Sequence, residues 1–181
     1  MSNLNELLSE TKIDSAALGK RELEAGSYAF NIHMKEGATS PFKLFVKERE
    51  TAMGGRVAEV GMYLKPADEE IAASRQGVYV RMPLVGIYEK TKSGKPFDTT
   101  VLKTSVATFL AAIGIEGGTI GVADVNTGSA IDLSTADTSK PLEVYLTVNG
   151  ESITDSLVGK SVNGKLSFSD YNDQPEVKFT R

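Results

Sequence analysis

Apolar and polar residues alternate with a period of two through most of the chain, the spacing that places successive side chains on opposite faces of a strand. Tyr28, Phe30, Ile32 and Met34 alternate with Ala29, Asn31 and His33, predicting a strand over 28–34 with one buried face. KEGATSP (35–41) is a turn. In the next strand, 42–49, Phe42, Leu44 and Val46 share one side, and Lys43, Phe45, Lys47 and Arg49 share the other. TAMGG (51–55) is a loop before a strand over 56–64, where Val60 and Met62 run out of step with Val57 and suggest a bulge. The polar stretch 65–77 has room for a short helical turn.

Residues 78–89 form the longest extended pattern, with Val78, Val80, Met82 and Leu84 on one face and Tyr79, Arg81, Pro83 and Val85 on the other. A proline inside such a run predicts an edge strand, a bulge or a bend. KTKSGKPFD (90–98) is a basic hairpin tip with Ser-Gly at its turn, and TTVLKT continues the return strand. A helix follows over 105–114, capped by Thr104 or Ser105, with a buried stripe of Val106, Phe109, Leu110 and Ile113 and a stop at Gly114. The Gly-, Ser-, Thr- and Asp-rich segment 114–141 predicts a long irregular excursion. LEVYLTVNG (142–150) returns to strand alternation, and GKLSFSDY and PEVKF predict a closing hairpin around Tyr171–Pro175. A short helical pattern over 4–18 predicts an N-terminal helix or arm. Seven or eight strands and one good helix, joined by polar loops, point to a mainly β curled sheet or small antiparallel barrel.

Composition narrows the chemistry. The chain has 181 residues, enough for one domain with a sizeable core, or two small ones, with 40% apolar and 24% charged residues. There is no cysteine, which excludes disulfides, a cysteine zinc site and a thiol nucleophile. The single histidine, His33, falls on the outer face of its strand, with no second His to share a metal and no carboxylate pair to frame catalysis. GIEGGTIG lacks the Gly-Lys-Ser/Thr end of a P-loop and the frame of a dinucleotide fingerprint. Asp68, Glu69 and Glu70 read as a solvated acidic run. No enzyme activity, cofactor or metal is expected. No segment reaches the roughly 18 apolar residues of a membrane span, and MSNLNELLSETKID does not look like a signal peptide.

The net charge of −4 conceals an asymmetry. Residues 35–103 hold 12 Lys or Arg against 9 Asp or Glu, whereas residues 104–181 hold 5 against 10. Local charge steers a polyanion better than the total does. Single-strand binding without sequence preference combines cations for phosphates with rings for bases. Three segments fit it: Lys43, Phe45, Lys47 and Arg49 on one strand face; Tyr79 and Arg81 on another; and Tyr88, Lys90, Lys92, Lys95 and Phe97 around the 90–98 hairpin. Each has a plainer alternative: Phe45 as barrel core, Tyr79 packed under a loop, the lysines as a solubilising hairpin. Lys160, Lys165, Tyr171 and Lys178 would extend the surface.

The order Gly26-Ser27-Tyr28, then GVYVRMPLVGIYEKTKSGKPFD, the helix TSVATFLAAIG and the closing LVGKSVNGKLSFSDYNDQPEVKF resembles the single-stranded DNA-binding proteins of tailed bacteriophages. The resemblance covers roughly residues 23–116 and 142–181. It implies an OB-fold-like, partly closed antiparallel barrel with one packed helix and long loops. Residues 23–181 would form that domain, with the excursion at 114–141, behind an arm at 1–22. It further implies coating of single-stranded DNA during phage replication and recombination in the host cytoplasm, on a face that includes Phe45, Tyr79, Arg81 and Tyr88. Replication proteins and further copies of the chain are the other partners it suggests. Such proteins often carry an acidic tail that recruits those partners; this chain ends in the basic PEVKFTR, so recruitment through that end is not expected. A structural virion or tail protein is the alternative, predicting buried Phe45 and Tyr79; a small carboxylate enzyme, needing an Asp- or Glu-lined pocket, is a third.

Overall fold

In the computed structural model, which describes residues 20–48, 56–87, 100–133, 136, 140–170 and 172–181, the period-two segments form antiparallel strands. Nine strands and three helices follow in order among the described residues: β1 (Gly26–His33), β2 (Phe42–Glu48), β3 (Arg56–Pro66), α1 (Glu69–Ser74), β4 (Val78–Ile87), α2 (Thr100–Ala112), β5 (Ile120–Asp124), β6 (Leu142–Val148), β7 (Glu151–Ser152), α3 (Thr154–Leu157), β8 (Ser161–Phe168) and β9 (Pro175–Thr180). The sheet runs β5-β6-β2-β3-β1-β8-β9, with β4 on β3 and β7 on β6. It curls into an antiparallel half-barrel with a helix packed on it, consistent with an OB-like fold.

The curl originates in β3. One of its edges pairs with β4 from Arg56 to Leu64. The other is divided: Arg56–Gly61 pair with β2, and Tyr63–Pro66 pair with β1. A strand shared in this way has to twist and bend, and the strands that follow on either side curve with it. Ala58, Val60, Met62 and Leu64 point inward from β3 and meet Phe30 and Ile32 of β1, Phe42 and Leu44 of β2, and Val80 and Met82 of β4 in one buried core. The mismatch expected near Val57 resolves as a register shift: Ala58 faces Val85 and Glu59 faces Pro83, so Leu84 is the extra residue on β4. Pro83 has no N–H to give to a ladder, and a bulge beside it is where the sheet tolerates it.

Helix α2 fills the side of the half-barrel between β4 and β9, which do not pair with each other among the described residues. Val106, Phe109 and Leu110 are buried, and Ile113 is half-buried against the core. Phe109 meets Phe179 of β9 edge-on, with ring centroids 5.0 Å apart. The helix ends as its sequence predicts. Gly114 adopts φ +90°, its N–H reaches Ala111 O, and the N–H of Ile115 reaches Leu110 O. This doubly bonded stop needs a left-handed residue at the glycine.

Two expectations are corrected. The return strand expected at 99–104 is helical from Thr100. The helix begins before both residues, so Thr104 and Ser105 lie inside it rather than capping it. The excursion 114–141 contains a strand: β5 pairs with β6, with Val122 opposite Leu146. Its alternation is short and glycine-flanked, and the tertiary partner stabilises what local propensity does not. The turn after it closes on Asp124, whose side chain accepts from Asn126 N and whose carbonyl accepts from Gly128 N. The basic hairpin at 90–98, Tyr171 and most of the N-terminal arm lie outside the described residues. Among the described residues, no helix is long and apolar enough to cross a membrane.

Because Phe109 is fully buried and makes the aromatic contact between α2 and β9, Phe109→Ala should lower stability by about 3–5 kcal/mol through lost burial and a cavity. Denaturant unfolding of the variant beside the parent measures it.

Candidate nucleic-acid interface

The face of the sheet opposite the core carries the side chains that alternate outward. Three strands supply its centre. On β3, Gly61 stands between Lys43 of β2 and Arg81 of β4; one row along, Glu59 stands between Phe45 and Pro83; in the other direction, Tyr63 stands beside Tyr79. A glycine in mid-strand leaves a gap in this row, and Phe45 and Tyr79 lean into it. A Cβ at position 61 would lie 2.3 Å from Tyr79 Oη and 2.7 Å from Phe45 Cε2, closer than real atoms approach. Gly61 is therefore a condition of the arrangement.

Over that gap the two rings meet edge-on, with centroids 6.2 Å apart. The Arg81 guanidinium carbon lies 3.7 Å from the Phe45 centroid, in cation–π contact. Phe45 and Arg81 are half-buried, Lys43 is exposed, and Tyr79 is 37% exposed, one of two large apolar side chains classed as exposed among the described residues. Burial pushes the Tyr79 phenol above its ordinary value, and the Arg81 charge pulls it partly back. Arg81 Nε is buried and has no hydrogen-bond partner, the only such side-chain atom among the described residues.

The same face continues across β1 and β8. His33 meets Tyr63 edge-on at 5.7 Å, and Ser161 Oγ donates to Asn31 Oδ1 at 2.6 Å. Lys165 and Lys178, both exposed, stand directly opposite each other on β8 and β9. Like charges in that position repel. Burial, then the Lys65 charge, lowers the pKa of His33 below its ordinary value.

Beside β4 runs a groove of about 2290 Å³, reaching from Phe45, Tyr79 and Arg81 to the β8–β9 connection. Its described walls hold four cations, Arg21, Arg75, Arg81 and Lys178, and five carboxylates, Glu22, Glu24, Glu59, Asp173 and Glu176. Arg75 Nη1 donates to Glu22 O at 2.9 Å, and Nη2 lies 3.4 Å from Glu24 Oε1, so that cation is engaged within the protein. The groove is thus electrically balanced where it is described. Among the described residues, no group of three His, Cys, Asp or Glu side chains converges as a metal site.

Of the residues singled out by sequence, the structure brings Tyr79 and Arg81 onto Phe45 and sets Lys43 in the same row as Arg81, across Gly61. Lys47 lies further along β2, opposite Val57. Arg49, Tyr88, Lys90, Lys92 and Lys95 lie outside the described residues. Gly61 and Tyr63 were not anticipated. The signal for Gly61 was a glycine inside a strand pattern, which marks a close approach of neighbouring groups. No protein-family model matches the chain, and no curated protein matches it.

Two outcomes follow from this geometry. Gly61→Ala should cost about 1–3 kcal/mol by forcing the rings aside, and thermal or denaturant unfolding will show it. The second concerns His33. A folded-state pKa below the ordinary 6.5 means that the unfolded chain binds the proton first as the pH falls. The stability cost is absent above that value and grows until the pH has passed below the folded-state value. Proton NMR of the single imidazole should give a midpoint below 6.5 in the folded protein.

Proposed function

We propose that this protein binds single-stranded DNA with little sequence preference, through the outer face of β2, β3 and β4. The observation that carries the reading is the cluster over Gly61: a partly exposed tyrosine, a second ring beside it and an arginine whose guanidinium carbon lies over that ring. Every base has a π face, so a ring and a planar guanidinium accept any sequence. Two of the three described helices are too short to lie along a major groove, α1 and α3 having six and four residues. The resemblance to phage single-stranded DNA-binding proteins supplies the setting, in which the protein coats transient strands during replication and recombination in the host cell.

The balanced walls of the groove refine the expected energetics. Phosphate contacts from Arg81, Lys43 and Lys178 would each contribute a slope of about −0.7 in log affinity against log salt. Stacking on Tyr79 adds a part that salt does not screen. A slope steeper than those three cations supply would place further phosphate contacts on Arg49, Lys90, Lys92 and Lys95. Titration of a labelled oligo-dT at several salt concentrations, beside the matching duplex, is the test. Binding should favour the single strand. Equal affinity for the duplex would remove stacking, and no binding at low salt would favour the structural-protein alternative.

A further inference from the structure

The Phe45 ring has two roles open to it on this surface, and they exclude each other at a given moment. It can receive a base, or it can hold Arg81. Arg81 lies 3.7 Å from the ring centroid, Tyr79 closes on the ring edge-on at 6.2 Å, and another ring atom lies over Gly61. The ring face covered by the guanidinium is not available for a base. Arg81 Nε is buried without a hydrogen-bond partner, an arrangement that costs free energy unless something else compensates it. Attraction between the cation and the ring quadrupole is that compensation.

We infer that Phe45 is a positioning residue that fixes the Arg81 guanidinium against the sheet, and that the groups offered to the single strand are Tyr79 and the outward side of Arg81. This rests on the single-strand reading and assigns its division of labour. An arginine on a flexible stem loses rotamer freedom whenever it binds; one already held over a ring loses less, so its contact with a phosphate or a base is strengthened without any contact from the ring itself. Gly61 has the same role one step removed, since the gap it leaves lets the ring lie where Arg81 can cover it.

The test compares Phe45→Leu, Arg81→Ala and the double variant in oligo-dT titrations at several salt concentrations. Leucine keeps apolar bulk and removes the π face. If Phe45 acts through Arg81, Phe45→Leu weakens binding roughly tenfold and flattens the salt slope by up to about one unit, as Arg81→Ala does. The double variant is then no weaker than Arg81→Ala alone. If Phe45→Leu leaves the slope unchanged and its loss multiplies with that of Arg81→Ala, the ring touches the base and the inference fails. Failure of the parent to bind oligo-dT overturns the single-strand reading and this role together, whereas binding with independent effects overturns this role alone. The parent protein gives a reading that needs no variant: ring current should shift the Arg81 Nε–H proton upfield in NMR. A resonance at the ordinary arginine position would also overturn the assignment.

Discussion

The structure depends on one strand having to serve three neighbours. β3 gives one edge to β4 and divides the other between β2 and β1. Backbone groups of a buried strand need partners, and no single straight neighbour satisfies that second edge along its whole length. The twist this imposes sends β2, β6 and β5 one way and β1, β8 and β9 the other. The open side between β4 and β9 is covered by α2, with Phe109 against Phe179. The bulge at Leu84 and the proline beside it are local adjustments to the same curvature.

That curvature also builds the candidate site. Alternation along β3 puts Val60 and Met62 into the core and leaves Gly61 between them on the outer face, with nothing to fill its place. Phe45 and Tyr79 come from strands on opposite edges of β3 and meet only because the intervening residue has no side chain. Arg81 then finds a ring face within reach. A core requirement on one face and a missing Cβ on the other thus bring together residues that are 36 positions apart in the sequence, counting from Phe45 to Arg81.

Charge acts differently here from how the local counts suggest. The basic excess over 35–103 does not produce a uniformly positive groove in the described region, because Glu22, Glu24, Asp173 and Glu176 reach it from distant parts of the chain. Arg75 is tied to two of those neighbours. The cation set apart is Arg81, held on an aromatic ring rather than beside a carboxylate in any described contact. The proposed interface would depend more on ring and guanidinium contacts than on a long-range field, and the opposed Lys165 and Lys178 add positive charge at the margin of this face.

Strand alternation was legible in the sequence because it is a local property: Phe30, Ile32, Phe42, Leu44, Val80 and Met82 are buried where a period of two puts them. So was the stop at Gly114, where a left-handed residue is needed. The start of α2 was not, since by local propensity Val101 and Leu102 suit a strand as well as a helix. β5 escaped for a related reason: five residues with a glycine among them become a strand only when β6 lies alongside. For the site, sequence placed Phe45 on the same side as Lys43, and Tyr79 with Arg81, but a periodicity carries no information on what covers a face. That Phe45 is neither core nor a bare platform, but lies under Arg81 and against Tyr79, was decided by the pairing of β2 and β4 across β3, because only that register brings their side chains to the gap at Gly61.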